Sequence, residues 1–144
     1  MADHVRRIFE LSPFLGFLGM EFESVEEGRV VMRVAFRREL IGNPELPALH
    51  GGVVSALLDT CGGAAVWTRI APEDRVSTVD LRVDYLRPGR PEDLFAEARV
   101  IRVGNRVGVT ELRAWQPGTS GEPIAVGRGV YNVHRRSGRS GRGG

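Results

Sequence analysis

The segment from His50 to Asp59 holds the residues of this chain whose types and spacing are best suited to chemistry. His50 is followed by two glycines and then by a run of small and apolar residues that contains one carboxylate, Asp59. Burying a carboxylate is unfavourable unless the group is paired or used. Asp59 is therefore the first candidate for a general base or a nucleophile.

The backbone at the start of this segment is suited to holding negative charge. The first N–H groups of a helix have no partner inside the helix, and the helix dipole adds partial positive charge there. Glycine allows close approach, so an amide of Gly51 or Gly52 can stabilise the oxyanion that forms when a carbonyl is attacked. Together with Asp59, this helix start predicts acyl transfer to water.

Helix geometry separates the two candidates within one chain. His50 and Asp59 are nine positions apart, which on a helix is a rotation of about 900° and a rise of roughly 13 Å. The two residues then lie on opposite sides and do not reach the same reacting atom. If both act, Asp59 must come from a second chain, and a two-fold dimer with antiparallel central helices provides two equivalent sites.

Hydrophobic patterning predicts the elements that position these residues. We expect one long helix packed on a mainly antiparallel six-stranded sheet, an α+β layout. Exposed sheet edges and leftover apolar surface favour an oligomer. The predicted elements are a short helix over 3–12, strands over 20–24 and 29–37, a long and functional connection over 38–49, the central helix over 53–68, and strands over 76–87, 93–103, 107–116 and 123–134.

Two details of this pattern carry specific expectations. In the strand over 76–87, alternation places Val79, Leu81, Val83 and Tyr85 on one face. In the central helix, the Gly62-Gly63 pair costs about 1 kcal/mol per glycine relative to alanine, so close packing against the sheet should offset it.

Composition indicates one domain over 1–134, followed by an Arg/Gly/Ser tail over 135–144 that is predicted to be disordered. The formal net charge is +2, yet residues 1–134 carry 16 basic and 18 acidic residues, which does not indicate a nucleic-acid partner. One cysteine excludes an internal disulfide and a cysteine zinc cluster. Asp59, Gly62, Gly63 and Arg69 argue against a lipid-facing span over 53–70, and we expect a cytoplasmic protein.

Several motifs together resemble the hotdog-fold acyl-CoA thioesterases, and most closely the phenylacetyl-CoA thioesterase type. The resemblance spans about residues 13–134. It implies a long helix wrapped by an antiparallel sheet, a homodimer with shared sites and often a tetramer. The leading function is hydrolysis of an aryl- or medium-chain acyl-CoA, with no metal or redox cofactor. The motifs are Gly42-Asn43, Leu49-His50-Gly51-Gly52 with Asp59, and Ser77-Thr78-Val79-Asp80 ending in Tyr85-Leu86-Arg87-Pro88.

The resemblance assigns a role to each matching residue. Asp59 is similar to the family's catalytic carboxylate, and Gly51 to its oxyanion amide. His50 resembles the residue beside the thioester carbonyl. Thr78, or less readily Ser77, resembles the hydroxyl near the carboxylate.

Asn43 resembles the residue that orients water or the aspartate, but it departs from the pattern. It lies seven residues before His50, where many relatives have six, and Pro44 and Pro47 occupy the loop. The remaining substrate-binding candidates are Gly52, Arg87 and Arg106, since arginine suits the phosphates of coenzyme A.

Each candidate also has a structural interpretation. Asp59 is explained equally as a buried structural acid, His50 as a helix cap, the two glycines after it as packing residues, and Asn43-Pro44 as an ordinary turn. Cys61 is best explained as a small core residue, because the nearby carboxylate disfavours a thiolate.

Two further functions remain open on the sequence alone. One is a non-catalytic acyl-CoA-binding module, since a fold does not fix a function. The other is a hydratase or dehydratase of the same fold, in which His50 and Asp59 act together across a dimer.

Overall fold

The structure is a computed structural model, and it describes residues 1–136. Most of the predicted tail, residues 137–144, lies outside the described residues. Two short turns of 3-10 helix lie at Arg38–Leu40 and Pro117–Thr119. The helices and strands are α1 (Ala2–Glu10), α2 (Pro13–Leu18), β1 (Met20–Glu26), β2 (Arg29–Val34), β3 (Ile41–Asn43), β4 (Ala48–Leu49), α3 (Gly51–Trp67), β5 (Arg75–Tyr85), β6 (Leu94–Val103), β7 (Val107–Trp115) and β8 (Ala125–His134).

Six strands form one antiparallel sheet in the order β1-β2-β6-β7-β8-β5, and α3 packs across β2, β5, β6, β7 and β8. This arrangement confirms the predicted α+β fold with a single long helix on a six-stranded sheet. Apolar residues on α3 face the sheet, and Leu57, Leu58 and Cys61 have no exposed surface. Burial of these side chains is the main favourable term that holds the helix on the sheet.

The central helix begins two residues earlier than predicted because His50 caps it. The Gly52 N–H donates to His50 Nδ1 at 2.8 Å, which satisfies one of the unpaired donors of the first turn. At the other end, the Thr68 hydroxyl donates to the Ala65 carbonyl at 2.6 Å and accepts from the Gly28 N–H at 2.8 Å. Both ends of α3 are therefore fixed by specific hydrogen bonds.

Cys61 is a core residue, as the sequence indicated. Its Sγ–H group donates to the Val30 carbonyl at 3.3 Å, and the residue has no exposed surface. Burial raises the pKa of the thiol far above its usual range. A thiolate nucleophile at this position is excluded by that environment.

Two boundaries in the first 40 residues differ from the prediction. The helix predicted over 3–12 ends at Glu10, and a second helix, α2, starts at Pro13 after the extended residue Ser12, since proline is favoured at the first helical position. The strand predicted to reach residue 37 ends at Val34. Beyond it, the Phe36 N–H leaves the sheet ladder and donates to Asp93 Oδ1 at 2.7 Å.

The first residues of the predicted tail are bound to the domain. Arg135 Nη1 lies 2.8 Å from Asp74 Oδ2, and the Arg136 N–H donates to Asp74 Oδ1 at 3.1 Å. Asp74 is buried, which by itself would raise its pKa. The hydrogen bonds from both arginines, together with the charge of Arg135, outweigh that effect, so the pKa of Asp74 is lowered.

Candidate active site

Asp59 opens into a cavity of about 320 Å³, which we call the Asp59 cavity. The carboxylate is half-buried, and its neighbours in the lining are mostly apolar. The α1–α2 segment covers one side, while α3, β5 and β8 form the rest. The lining residues are Ile8, Phe9, Ser12, Leu15, Asp59, Thr60, Gly63, Trp67, Val76, Ser77, Thr78 and Tyr131.

The carboxylate is held by Thr78, whose hydroxyl donates to Asp59 Oδ1 at 2.8 Å. A β-bulge between Thr78 and Asp80 makes this contact possible. Thr78 and Leu81 are three residues apart and would point to opposite faces of an unbroken strand, but the extra residue puts both on the helix side. The bulge also corrects one prediction: Val79 is the unpaired residue and is 62% exposed, so it does not share the face of Leu81.

Tyr131 approaches the same residue from β8. Its hydroxyl donates to the Asp59 carbonyl at 2.9 Å, and the side chain is buried. Burial raises the pKa of Tyr131, and the charge of Asp59 adds to this effect. The phenol is therefore protonated and acts as a donor throughout the physiological pH range.

The start of α3 opens into a second cavity of about 360 Å³, which we call the Gly51 cavity. The Gly51 N–H donates to no group within residues 1–136. The Gly52 N–H is taken by His50 Nδ1, so Gly51 supplies the available donor. The lining residues are Leu49, Gly51, Val54, Tyr85, Leu86, Arg87, Pro88, Gly89 and Ile124.

Tyr85 fixes the position of this helix start. Its hydroxyl donates to the Gly51 carbonyl at 2.8 Å. The His50 N–H donates to the Leu40 carbonyl at 2.9 Å, so the residue before the helix is anchored as well. The Gly51 N–H is thus directed by contacts on both sides of it.

Asp59 and Gly51 do not meet within one chain. In the described part of the chain, the Asp59 cavity and the Gly51 cavity share no lining residue. His50 is exposed at the helix start, while Asp59 faces Thr78 further along the helix. The separation that helix geometry predicted for His50 and Asp59 is present in the fold.

The remaining predicted residues, Asn43, Arg87 and Arg106, lie in three different places. Asn43 closes the turn of the β3–β4 hairpin, where its Oδ1 accepts the Glu45 N–H at 3.0 Å. Arg87 lines the Gly51 cavity and lies 3.9 Å from Glu122. Arg106 is exposed at the β6–β7 turn and, within residues 1–136, lines neither cavity.

The family resemblance favoured Thr78 over Ser77, and the structure separates the two residues. Thr78 contacts the carboxylate, whereas the Ser77 hydroxyl lies 2.9 Å from Nε2 of His134. Tyr131 and the helical residues Ile8, Phe9 and Leu15 were missed as site residues. The Gly62-Gly63 pair predicted close packing of α3 against the sheet, and in the structure the Tyr131 ring of β8 makes that close contact.

Comparisons with known proteins identify the family of this chain. A model of the thioesterase superfamily matches residues 46–122, a segment that includes the start of α3, Asp59 and Thr78. The chain is 40% identical over 128 residues to a putative esterase of Halobacterium salinarum, with 84% of each chain covered. The chain belongs to the thioesterase superfamily.

A second relative and a solved structure are also similar to this thioesterase-superfamily chain. It is 37% identical over 115 residues to the medium/long-chain acyl-CoA thioesterase YigI of Escherichia coli, covering 69% of this chain and 73% of YigI. The crystal structure of a thioesterase family protein from Silicibacter pomeroyi superposes with a TM-score of 0.84 and 27% identity, covering 94% of this chain and 98% of the other. This superfamily has the hotdog fold, and its members support a thioester hydrolase activity.

The described residues also bear on metal sites and membrane-spanning helices. Within residues 1–136, no group of three or more histidine, cysteine, aspartate or glutamate side chains is arranged to hold a metal ion. Over the same residues, no helix is both long enough and apolar enough to cross a bilayer.

Proposed function

We propose that this protein hydrolyses an aryl- or medium-chain acyl-CoA to the free acid and coenzyme A, with no metal or redox cofactor. The observation that carries the proposal is the Asp59 carboxylate, held by Thr78 in a cavity whose other walls are mostly apolar. Such walls suit an acyl chain, and a carboxylate beside them suits attack on the thioester carbonyl or activation of water. The name of the Escherichia coli relative supports a coenzyme A thioester as substrate.

The chemistry divides between a side chain and a backbone amide. Asp59 attacks the thioester carbonyl or removes a proton from the attacking water. The Gly51 N–H donates to the oxyanion of the tetrahedral intermediate, and the coenzyme A thiolate leaves when that intermediate collapses. If Asp59 is the nucleophile, water then hydrolyses the acyl-aspartyl anhydride, which releases the free acid and restores the carboxylate. Arg87 lies beside the Gly51 cavity, where a guanidinium suits a phosphate of the coenzyme A moiety.

The complete site requires two chains in this proposal. Asp59 and Gly51 line separate cavities of one chain, so a two-fold dimer is needed to bring the carboxylate of one protomer to the helix start of the other. The pairing of such dimers into a tetramer, which the family resemblance implies, stays a prediction.

The edge strand β5 is the surface that suits this dimer. It ends the sheet order, spans 11 residues, and exposes Val79 and Tyr85 at 62% and 53%. An uncovered edge of this length is normally paired or protected. The opposite edge, β1, is shorter, at seven residues.

A thiol-release assay on a panel of acyl-CoA thioesters tests the proposal. The panel contains phenylacetyl-CoA, straight-chain thioesters from acetyl to palmitoyl, and a crotonyl-CoA sample analysed for hydration. We expect release of free thiol with the highest kcat/KM on the aryl- or medium-chain members. Binding without thiol release on every member, or hydration of crotonyl-CoA in place of thiol release, would overturn the proposed function.

A further inference from the structure

The slot that Gly62 opens in α3 admits the side chain of Tyr131. A Cβ atom on Gly62 would overlap the Tyr131 hydroxyl oxygen and would lie 2.9 Å from its Cζ. On β8, a Cβ on Gly129 would lie 2.8 Å from the same Cζ. A glycine on the helix and a glycine on the strand therefore both make room for one buried ring, although each is unfavourable in its element.

The hydroxyl at the end of this ring contacts Asp59, and the buried Thr110 hydroxyl lies next to it. Tyr131 Oη donates to the Asp59 carbonyl at 2.9 Å. A carbonyl inside a helix already accepts a bond from the helix ladder, and the phenol takes its second lone pair. The bond is therefore not needed to satisfy the carbonyl, and its effect is to fix where this turn of α3 lies relative to the sheet.

Sheet register links this contact to the one that holds the carboxylate. Thr78 and Tyr131 are direct partners across β5 and β8, so their side chains point to the same face. Thr78 holds the Asp59 side chain, and Tyr131 holds its backbone. The cross-strand pair of Thr78 and Tyr131 thus fixes Asp59 at two points. This pair lies directly before the bulge that turns the Thr78 side chain toward the helix.

We propose that Tyr131 is a positioning residue for Asp59, and that Gly62 is required because it admits the phenol to the Asp59 carbonyl. This inference rests on the proposed function, since it concerns the carboxylate assigned to thioester hydrolysis. Tyr131 lines the Asp59 cavity, but its hydroxyl donates to the backbone of Asp59, so we expect its loss to change kcat more than KM.

The Tyr131→Phe variant tests the positioning role, because phenylalanine fills the slot and removes the hydroxyl alone. A small displacement of a reacting group can lower a rate by up to about 100-fold, so we expect kcat to fall by roughly tenfold to a hundredfold while KM stays near the wild-type value. Rates are normalised to the folded fraction measured by circular dichroism. Gly62→Ala, which displaces the phenol, should reproduce the loss in kcat.

Val133→Ala is the matched control for a purely structural effect. Val133 packs in the same small buried cluster as Tyr131 but does not line the Asp59 cavity described here. We expect this variant to lower the melting temperature and to keep the wild-type kcat. In a Tyr131→Phe background, Gly62→Ala should lower kcat by less than it does alone, because both changes act through the same hydroxyl.

The outcomes separate this inference from the function on which it rests. If the wild type releases thiol and Tyr131→Phe keeps the wild-type kcat, the positioning role is overturned while the thioesterase proposal stands. If kcat falls for Val133→Ala as far as for Tyr131→Phe, the effect is one of stability and the positioning role is also overturned. If the wild type releases no thiol from any thioester of the panel, both proposals fall.

Discussion

The two half-sites on α3 are built by different means. The Asp59 half-site depends on residues distant in sequence, because Thr78 and Tyr131 reach it from β5 and β8. The Gly51 half-site combines a local cap, in which His50 accepts the Gly52 N–H, with a distant contact from the Tyr85 hydroxyl to the Gly51 carbonyl. The side chain of Asp59 is therefore oriented by sheet register, whereas the Gly51 N–H is an unpaired donor because it lies at the helix start, which Tyr85 holds in place.

This difference also separates what each half-site contributes. The Asp59 half-site presents a carboxylate in a mostly apolar cavity, and the Gly51 half-site presents an amide beside an arginine. The first suits the acyl chain and the attack, and the second suits the oxyanion and the coenzyme A moiety. A change in one half-site should therefore alter a different kinetic quantity from a change in the other.

The largest effect is expected for Asp59→Asn. The asparagine Oδ1 still accepts the Thr78 hydroxyl, so the fold and KM should change little, but the carboxylate is lost. General-base groups typically contribute about 10²–10⁴-fold, and we expect kcat to fall by that amount. Steady-state thiol release measures it, and a wild-type kcat on every hydrolysed thioester would exclude Asp59 from the chemistry.

The next effect is expected for Gly51→Pro, which removes the amide donor at a position where proline is well tolerated. His50 already has φ −61° and ψ 131°, the conformation favoured before proline. Loss of one oxyanion donor costs about 10²–10³-fold in kcat.

Gly51→Ala is the matched variant, because it keeps the N–H and places its Cβ 3.4 Å from the Tyr85 ring. We expect it to lose much less activity than Gly51→Pro. Equal kinetic losses in the two variants would show that shape at this position matters and that the amide does not.

A smaller effect, on specificity, is expected at Trp67 in the Asp59 cavity. Trp67→Ala enlarges the apolar space, so longer acyl groups should gain relative to shorter ones. One methylene in an apolar pocket is worth roughly tenfold or more in kcat/KM, and we expect the preference to shift by about that factor. Leu86→Ala, in the Gly51 cavity, should leave the acyl-length preference unchanged, and a shift in that variant would contradict the division of roles.

The smallest effect on activity is expected at Asp74, which lies outside both cavities. Its pKa is lowered in the folded protein, so it stabilises the fold above the pKa of the unfolded state, and that contribution is lost as pH falls through the folded pKa. Asp74→Asn should therefore reduce the unfolding free energy at pH 7 and flatten its decline below about pH 4, the ordinary aspartate range. Urea titrations at pH 7, 5 and 3 measure this, and an unchanged acid dependence would contradict it.

The sequence could predict the parts of the site that are local or carry an unusual residue. Asp59 stood out because a carboxylate interrupts an apolar run, and Gly51 because glycines follow a capping residue. The helix geometry between His50 and Asp59 correctly predicted that the helix start and the carboxylate lie apart in one chain. The α+β layout followed from one long apolar helix among alternating strands.

The rest depended on register, which a single sequence does not specify. Plain alternation put Val79 on the face of Leu81, and the bulge after Thr78 reversed this because an extra residue changes the side on which each later residue lies. Tyr131 was missed because its role depends on β8 packing against α3 at Gly62, a contact between residues that are far apart in the sequence. Asn43 was assigned a role by resemblance, and in the structure its side chain closes a local turn.

The claim that each site is shared by two chains is tested most directly with heterodimers. In these, the Gly51→Pro and Asp59→Asn changes lie either on different chains or on the same chain. One heterodimer pairs a Gly51→Pro chain with an Asp59→Asn chain, and the other pairs a Gly51→Pro/Asp59→Asn chain with a wild-type chain, each isolated through two different affinity tags. If the site is shared, the first keeps one intact site and about half of the wild-type kcat per dimer, and the second is inactive. The opposite result, an inactive first heterodimer and a half-active second one, would show that each chain builds its own site and would contradict the account.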